Sequence, residues 1–232
     1  MKVNIKNRYS LIHLGILILI FAISNITGII YFRHNPDIDE YIQIAITLVL
    51  TIVIDISLLF YIFIVLKKDN ADIRNELRFF INWKDILWGF VAFISAILIL
   101  TIYSMVIPIE EFSWVESYLD ILINGPHYST IFLMFLFGSI IAPFVEEILF
   151  RGYIWKILEE KKINKYMVLL ITSFLFASMH LELYNLPVFF IFGIILGYLR
   201  MRTNRMGASL LAHIIKNTFA LIIIYSGLIA VG

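Results

Sequence analysis

Residues 41–66 read YIQIAITLVLTIVIDISLLFYIFIVL, an apolar run whose one charged residue is Asp55. A helix needs about 20 apolar residues to cross a hydrocarbon core of about 30 Å, so this run is long enough to span a bilayer. Working outward, similar stretches occupy residues 11–32, 86–108, 128–150, 167–179, 187–199 and 208–231. The fifth and sixth are short by themselves and reach the required length only if each extends a turn into its flanks. The sequence therefore predicts an all-α, polytopic transmembrane helical bundle of about seven spans.

Composition agrees. The 232 residues are 61% hydrophobic and 15% charged, against about 45–50% and about 25% in soluble domains. A formal net charge of +1 leaves no basic footprint for nucleic acid. Cysteine is absent, which excludes disulfides and thiolate chemistry. The richness in Ile, Phe, Asn and Lys, residues with A/T-rich codons, points to a low-GC bacterium.

Lys2, Lys6 and Arg8 precede the first run, and Ala22-Ile23-Ser24 offers a small-x-small site. The apolar stretch continues past that site to Phe32, so a retained first helix is expected rather than a cleaved signal. Lys67, Lys68, Arg74, Arg78 and Lys84 lie between the second and third runs. Arg151, Lys156, Lys161, Lys162 and Lys165 lie between the fourth and fifth, and Arg200, Arg202 and Arg205 before the seventh. Basic residues accumulate on cytoplasmic loops, so the alternation predicts an inside N-terminus and an outside C-terminus. Two connecting segments read as amphipathic surface helices: 72–82, with Ile73, Leu77, Phe80 and Ile81 beside Arg74 and Arg78, and 110–123, with Phe112, Val115, Tyr118, Leu119 and Leu122 beside acidic residues. The chain reads as one integral membrane domain, 1–232, without internal repeats.

An ionisable side chain in mid-span costs roughly 2.5–3.5 kcal/mol on insertion scales, which makes such residues functional candidates. The fourth run ends Pro143-Phe144-Val145-Glu146-Glu147-Ile148-Leu149-Phe150-Arg151. Glu147 and Arg151 are four apart with the acid first, the favourable order for a helical ion pair. Glu146 points about 100° away from Glu147, so one carboxylate can be neutralised while the other stays free. Pro143 removes a backbone donor and is expected to bend the helix there. The fifth run places Phe176 and His180 on one face, and the seventh places His213 and Asn217 on one face. Each feature also has a plainer reading: the acids and Arg151 as an interfacial anchor, His180 as the exit from the bilayer, and His213 with Asn217 as interhelical hydrogen-bond glue. Asp55 and Lys216 read as structural or snorkelling charges, Gly193 and Gly197 as close helix packing, and Asn185 before Pro187 as a helix start.

Taken together and in order, E-E-x-x-x-R (Glu146, Glu147, Arg151), F-x-x-x-H (Phe176, His180) and H-x-x-x-N (His213, Asn217) resemble the CPBP family, the CAAX proteases and bacteriocin-processing enzymes also called Abi. The resemblance covers residues 128–232, a catalytic core. Residues 1–127 match only in being apolar. It implies an intramembrane endopeptidase acting on membrane-associated peptides or proteins in a multi-pass protein of the cell membrane, expected to be a bacterial plasma membrane. It further implies Glu146 as general base, His180 as its partner on the water, and His213 and Asn217 as oxyanion donors. Glu147, Arg151 and Phe176 are the support. The competing chemistry makes Glu146, His180 and His213 ligands of Zn²⁺ with one position left for water. No H-E-x-x-H occurs, Gly207-Ala208-Ser209 is followed by Leu210 where a rhomboid-like motif needs glycine, and no G-x-G-D is present. Two non-enzymatic readings use the same buried groups: a membrane immunity or scaffold protein, and a small transporter. For the fourth run the expectation is that convergence of Glu146, His180 and His213 needs a deep cavity, tilted helices, or a helix continuing past Arg151 toward Lys156.

Overall fold

The computed structural model describes residues 40–67, 72–106, 135–180 and 184–231, with positions 12, 15, 16, 19 and 132 besides. The first apolar run, the Ala22-Ile23-Ser24 site, the 110–123 amphipathic segment and the start of the fourth run lie outside the described residues, positions 12, 15, 16, 19 and 132 excepted.

All regular structure among the described residues is helical. Helix α1 is Glu40–Lys67, α2 the single turn Ile73–Glu76, and α3 Lys84–Ser104. Helix α4 runs unbroken over residues 137–160, followed by α5 (Lys165–Ser178), α6 (Leu186–Thr203) and α7 (Met206–Val231). Three stretches, Val49–Lys67, Lys84–Tyr103 and Leu186–Thr203, are long and apolar enough to cross a membrane, and Lys165–Ser178 and Met206–Ile222 are shorter apolar helices. Large apolar side chains on α1 and α3 face outward, among them Val53, Phe60, Ile94 and Leu98. In water that would be a liability, whereas in lipid it is the expected outer surface. The chain is a multi-pass membrane protein.

Helix α4 is the axis of the molecule. Its α-helical pieces Ala142–Glu147 and Trp155–Glu160 alternate with π-type stretches at Phe137–Ile141 and Ile148–Ile154. The first π stretch closes on Ala142, whose N–H donates to Phe137 five residues back, immediately before Pro143, which has no N–H to give. All seven residues of the second are buried. The helix continues well past Arg151 because Trp155, Ile157 and Leu158 bury against the core while Lys156, Glu159 and Glu160 pair at the surface. Glu146 therefore lies well inside a long helix, not at the end of one.

The 72–82 segment departs from the expected amphipathic helix. Asp72 caps one turn, Leu77 drops into the core, and Arg78 adopts a left-handed conformation with φ 51°, which ends the helix. Its apolar residues are claimed by tertiary contacts: Phe79 meets Phe144 edge-on at 6.0 Å, and the Arg78 carbonyl accepts from Met206 N–H at 3.0 Å. The Arg78–Glu159 (3.7 Å) and Lys156–Glu76 (4.0 Å) pairs, with Arg205 on buried Asp85 (2.5 Å), gather the basic loops at one end of the bundle. At the other end the Tyr103 hydroxyl donates to the Tyr184 carbonyl.

Asn185 occupies the N-cap position of α6, with Pro187 in the first turn, and makes no side-chain cap hydrogen bond. Gly193 and Gly197 bring α6 against α5: a Cβ on Gly193 would sit 3.1 Å from Ser173 backbone and side-chain atoms, and one on Gly197 would sit 2.5 Å from Leu169.

Candidate active site

The second π stretch carries Arg151, whose Nη1 donates to Glu147 Oε1 at 2.9 Å, both side chains fully buried. Arg151 Nη2 donates to the Gly193 carbonyl at 3.0 Å, and its guanidinium lies 4.6 Å from the Phe176 ring centroid. A buried charge survives in a low-dielectric interior only with a partner and hydrogen bonds. Here α4 supplies the carboxylate, α6 the carbonyl and α5 the aromatic face.

From α7, His213 Nδ1 lies 3.1 Å from the same Glu147 oxygen. The partner is a carboxylate oxygen that also receives Arg151, so Nδ1 carries the proton and neutral His213 presents the Nε2 lone pair. That Nε2 is 3.7 Å from Glu146 Oε2. Phe176 and Phe192 flank the imidazole edge-on at 5.7 and 5.3 Å. His180, in the turn following α5, places Nδ1 2.9 Å from the Phe176 carbonyl, an acceptor, and stacks on Phe189 at 3.9 Å. Its neutral ring likewise offers Nε2 as an acceptor.

Glu146 differs from Glu147 as adjacent helical positions must. Its side chain keeps 26% of its surface accessible, and its Oε2 is buried with no hydrogen-bond partner. It lines a cavity of about 240 Å³ with His180, Asp55, Thr51 and apolar side chains of α1, α4 and the turn after α5. Glu146 thus has His213 Nε2 at 3.7 Å and shares the cavity wall with His180, while His213 itself is not among the lining residues. Asn217, one turn beyond His213, donates through Nδ2 to the Gly138 carbonyl at 2.8 Å, tying α7 to the first π stretch, and lies outside the cavity wall. Lys216 directs its ammonium over the Phe192 ring at 5.0 Å. Asp55, read from sequence as structural, lines the cavity. The available signal was its position as the one charge in residues 41–66.

With Nδ1 of both histidines committed, only their Nε2 atoms and Glu146 remain for an ion. Among the described residues no three His, Asp or Glu groups are placed to hold one metal. The donor types left over, two imidazole Nε2 atoms and a carboxylate, are those a catalytic zinc site uses, but among the described residues they do not converge on one ion position.

Residues 128–219 match the family model described as "Type II CAAX prenyl endopeptidase Rce1-like". The chain is also similar to a Bacillus subtilis (strain 168) protein described as "Putative membrane peptidase YdiL", 37% identical over 90 residues, or 39% of this chain and 36% of that one. The match therefore spans little more than a third of the relative. No solved structure matches. The matched stretch contains all three motifs and every helix that contributes to the Glu146–His213–Arg151 constellation, so it is over residues 128–219 that the chain is similar to the CAAX-type membrane proteases of the CPBP family.

Proposed function

We propose that this chain is an intramembrane endopeptidase that hydrolyses peptide bonds of membrane-associated peptides or proteins with a water activated by Glu146 and His180, in a bacterial plasma membrane. The observation that carries the reading is Glu146 itself. Its buried Oε2 lacks a hydrogen-bond partner, faces His213, and belongs to a carboxylate on a cavity wall shared with His180. An unsatisfied carboxylate is costly in a membrane bundle and is accounted for by a reactant it must meet.

In this scheme a water sits between the Glu146 carboxylate and His180 Nε2. Glu146 takes a proton as the water oxygen bonds to the carbonyl carbon. The carbonyl oxygen gains charge and is stabilised by donors on α7: the second N–H of the Asn217 amide, and His213 Nε2 while it shares the proton that Glu146 has taken from the water. Glu147 would hold the His213 ring as a third group orients a base in hydrolytic triads. Collapse breaks the C–N bond, and the proton held by Glu146 passes to the leaving amine, giving an acid and an amine. No step needs a metal.

The test is cleavage of a fluorogenic peptide library carrying a hydrocarbon anchor by protein purified into liposomes, with wild type beside Glu146→Gln. Loss of a general base costs about 10²–10⁴ in rate, and the isosteric amide should leave the fold intact. Chelator should not change wild-type turnover. Full cleavage by a folded Glu146→Gln removes Glu146 as base, and chelator-sensitive cleavage restored by Zn²⁺ removes the metal-free scheme.

A further inference from the structure

We infer that Asp55 is a recognition carboxylate that selects substrates with a cationic side chain, lysine or arginine, beside the cleaved bond. It stands on α1, outside the stretch that matches the family model, and so belongs to this chain's own N-terminal half.

Three observations carry it. Asp55 is only 8% exposed, yet it lines the cavity that Glu146 and His180 also line. Among the described residues no hydrogen bond or ion pair reaches its side chain, whereas the other buried acids, Asp85 and Glu147, are each held by an arginine. The rest of the wall is mostly apolar, with Ile54, Leu58, Val145, Leu149, Phe150 and Met179. A buried carboxylate without a counter-ion is most favourably completed by a cation that arrives with a ligand. Apolar walls suit the methylene stem of lysine or arginine while its head reaches the acid. The cavity is large enough for such a stem beside a water. Thr51, one turn before Asp55, lines the same wall.

This inference rests on the peptidase reading of the cavity, so its test includes a measurement that needs no turnover. Binding of anchored fluorescent peptides differing only in lysine versus norleucine is measured by anisotropy in lipid nanodiscs, using Glu146→Gln to silence cleavage. With Glu146 neutral, Asp55 is the one acid left on the cavity wall. The lysine peptide should bind about tenfold or more tightly, as expected for a charge-assisted contact. Glu146→Gln combined with Asp55→Asn should bring the ratio close to one. On wild type and Asp55→Asn, the lysine-to-norleucine ratio of kcat/KM should fall in parallel. Equal binding of the two peptides by Glu146→Gln overturns the inference even where wild type cleaves both. A lysine preference that survives Asp55→Asn overturns it as well. If nothing is cleaved but the Asp55-dependent preference holds, the peptidase reading fails and the recognition role stands.

Discussion

One oxygen of Glu147, Oε1, lies 2.9 Å from Arg151 Nη1 and 3.1 Å from His213 Nδ1. The acid thereby neutralises a buried guanidinium and fixes which imidazole nitrogen is protonated. The two tasks separate by mutation. Arg151→Ala strands a buried carboxylate and should cost about 3–5 kcal/mol of stability, whereas replacing both partners is often close to neutral. Glu147→Gln with Arg151→Met should therefore recover most of the melting temperature in detergent lost by Arg151→Ala. It should not recover turnover, because His213 has lost the carboxylate that orients it. Recovery of both would reduce Glu147 to a counter-ion.

Gly207 opens α7 where the chain passes Phe80. A Cβ there would lie 2.2 Å from the Phe80 carbonyl oxygen, a backbone atom that cannot swing away. The same methyl at Gly197 would meet the end of the Leu169 side chain at 2.5 Å, which can rotate. Gly207→Ala should cost about 1–3 kcal/mol as overpacking, and more than Gly197→Ala, in a thermal melt of the purified protein. The reverse order would mean that the 72–82 segment is not seated on α7.

Several features were legible in the sequence because the bilayer makes them so. A charge in an apolar run is conspicuous, and Glu146, His180 and His213 stood out for that reason. Asp55 stood out equally, but a lone acid on a distant helix has no spacing partner to betray what it faces, and only tertiary packing puts it beside Glu146. Hydropathy likewise stops near Phe150, because Lys156, Glu159 and Glu160 interrupt it. The helix runs on to Glu160, since one face still buries Trp155, Ile157 and Leu158. The 72–82 segment misled in the opposite sense. Its apolar residues recur at helical spacing, yet Arg78 breaks the helix and Phe79 turns to Phe144. The π stretches have no composition signature and were not legible.

The clustering of basic loops at one end leads to a topology test, which the lack of cysteine makes clean. Single cysteines replacing exposed Lys161 or Arg202 should be protected from an impermeant thiol reagent in intact cells. Those replacing exposed Val106 or Tyr184 should be labelled. This follows if the basic end is cytoplasmic. Inverted labelling would reverse the bundle, and labelling at both ends would question whether the shorter helices span.

Asn217 tests the oxyanion side of the scheme. Its Nδ2 donates to the Gly138 carbonyl at 2.8 Å, which fixes the amide plane and leaves a second N–H on the same nitrogen. Removing a neutral hydrogen bond of this kind costs about 1 kcal/mol of stability, so Asn217→Ala should fold. Loss of an oxyanion donor acts on the transition state and costs about 10²–10³ in kcat. Since the developing charge is absent from the bound substrate, KM should change little. A purely structural role predicts another pattern, with weakened substrate binding or lower folded yield and turnover per folded molecule preserved. Steady-state kinetics normalised to monodisperse protein separate the two. A kcat that survives Asn217→Ala while KM rises would place Asn217 among the struts of the first π stretch and leave the oxyanion to His213.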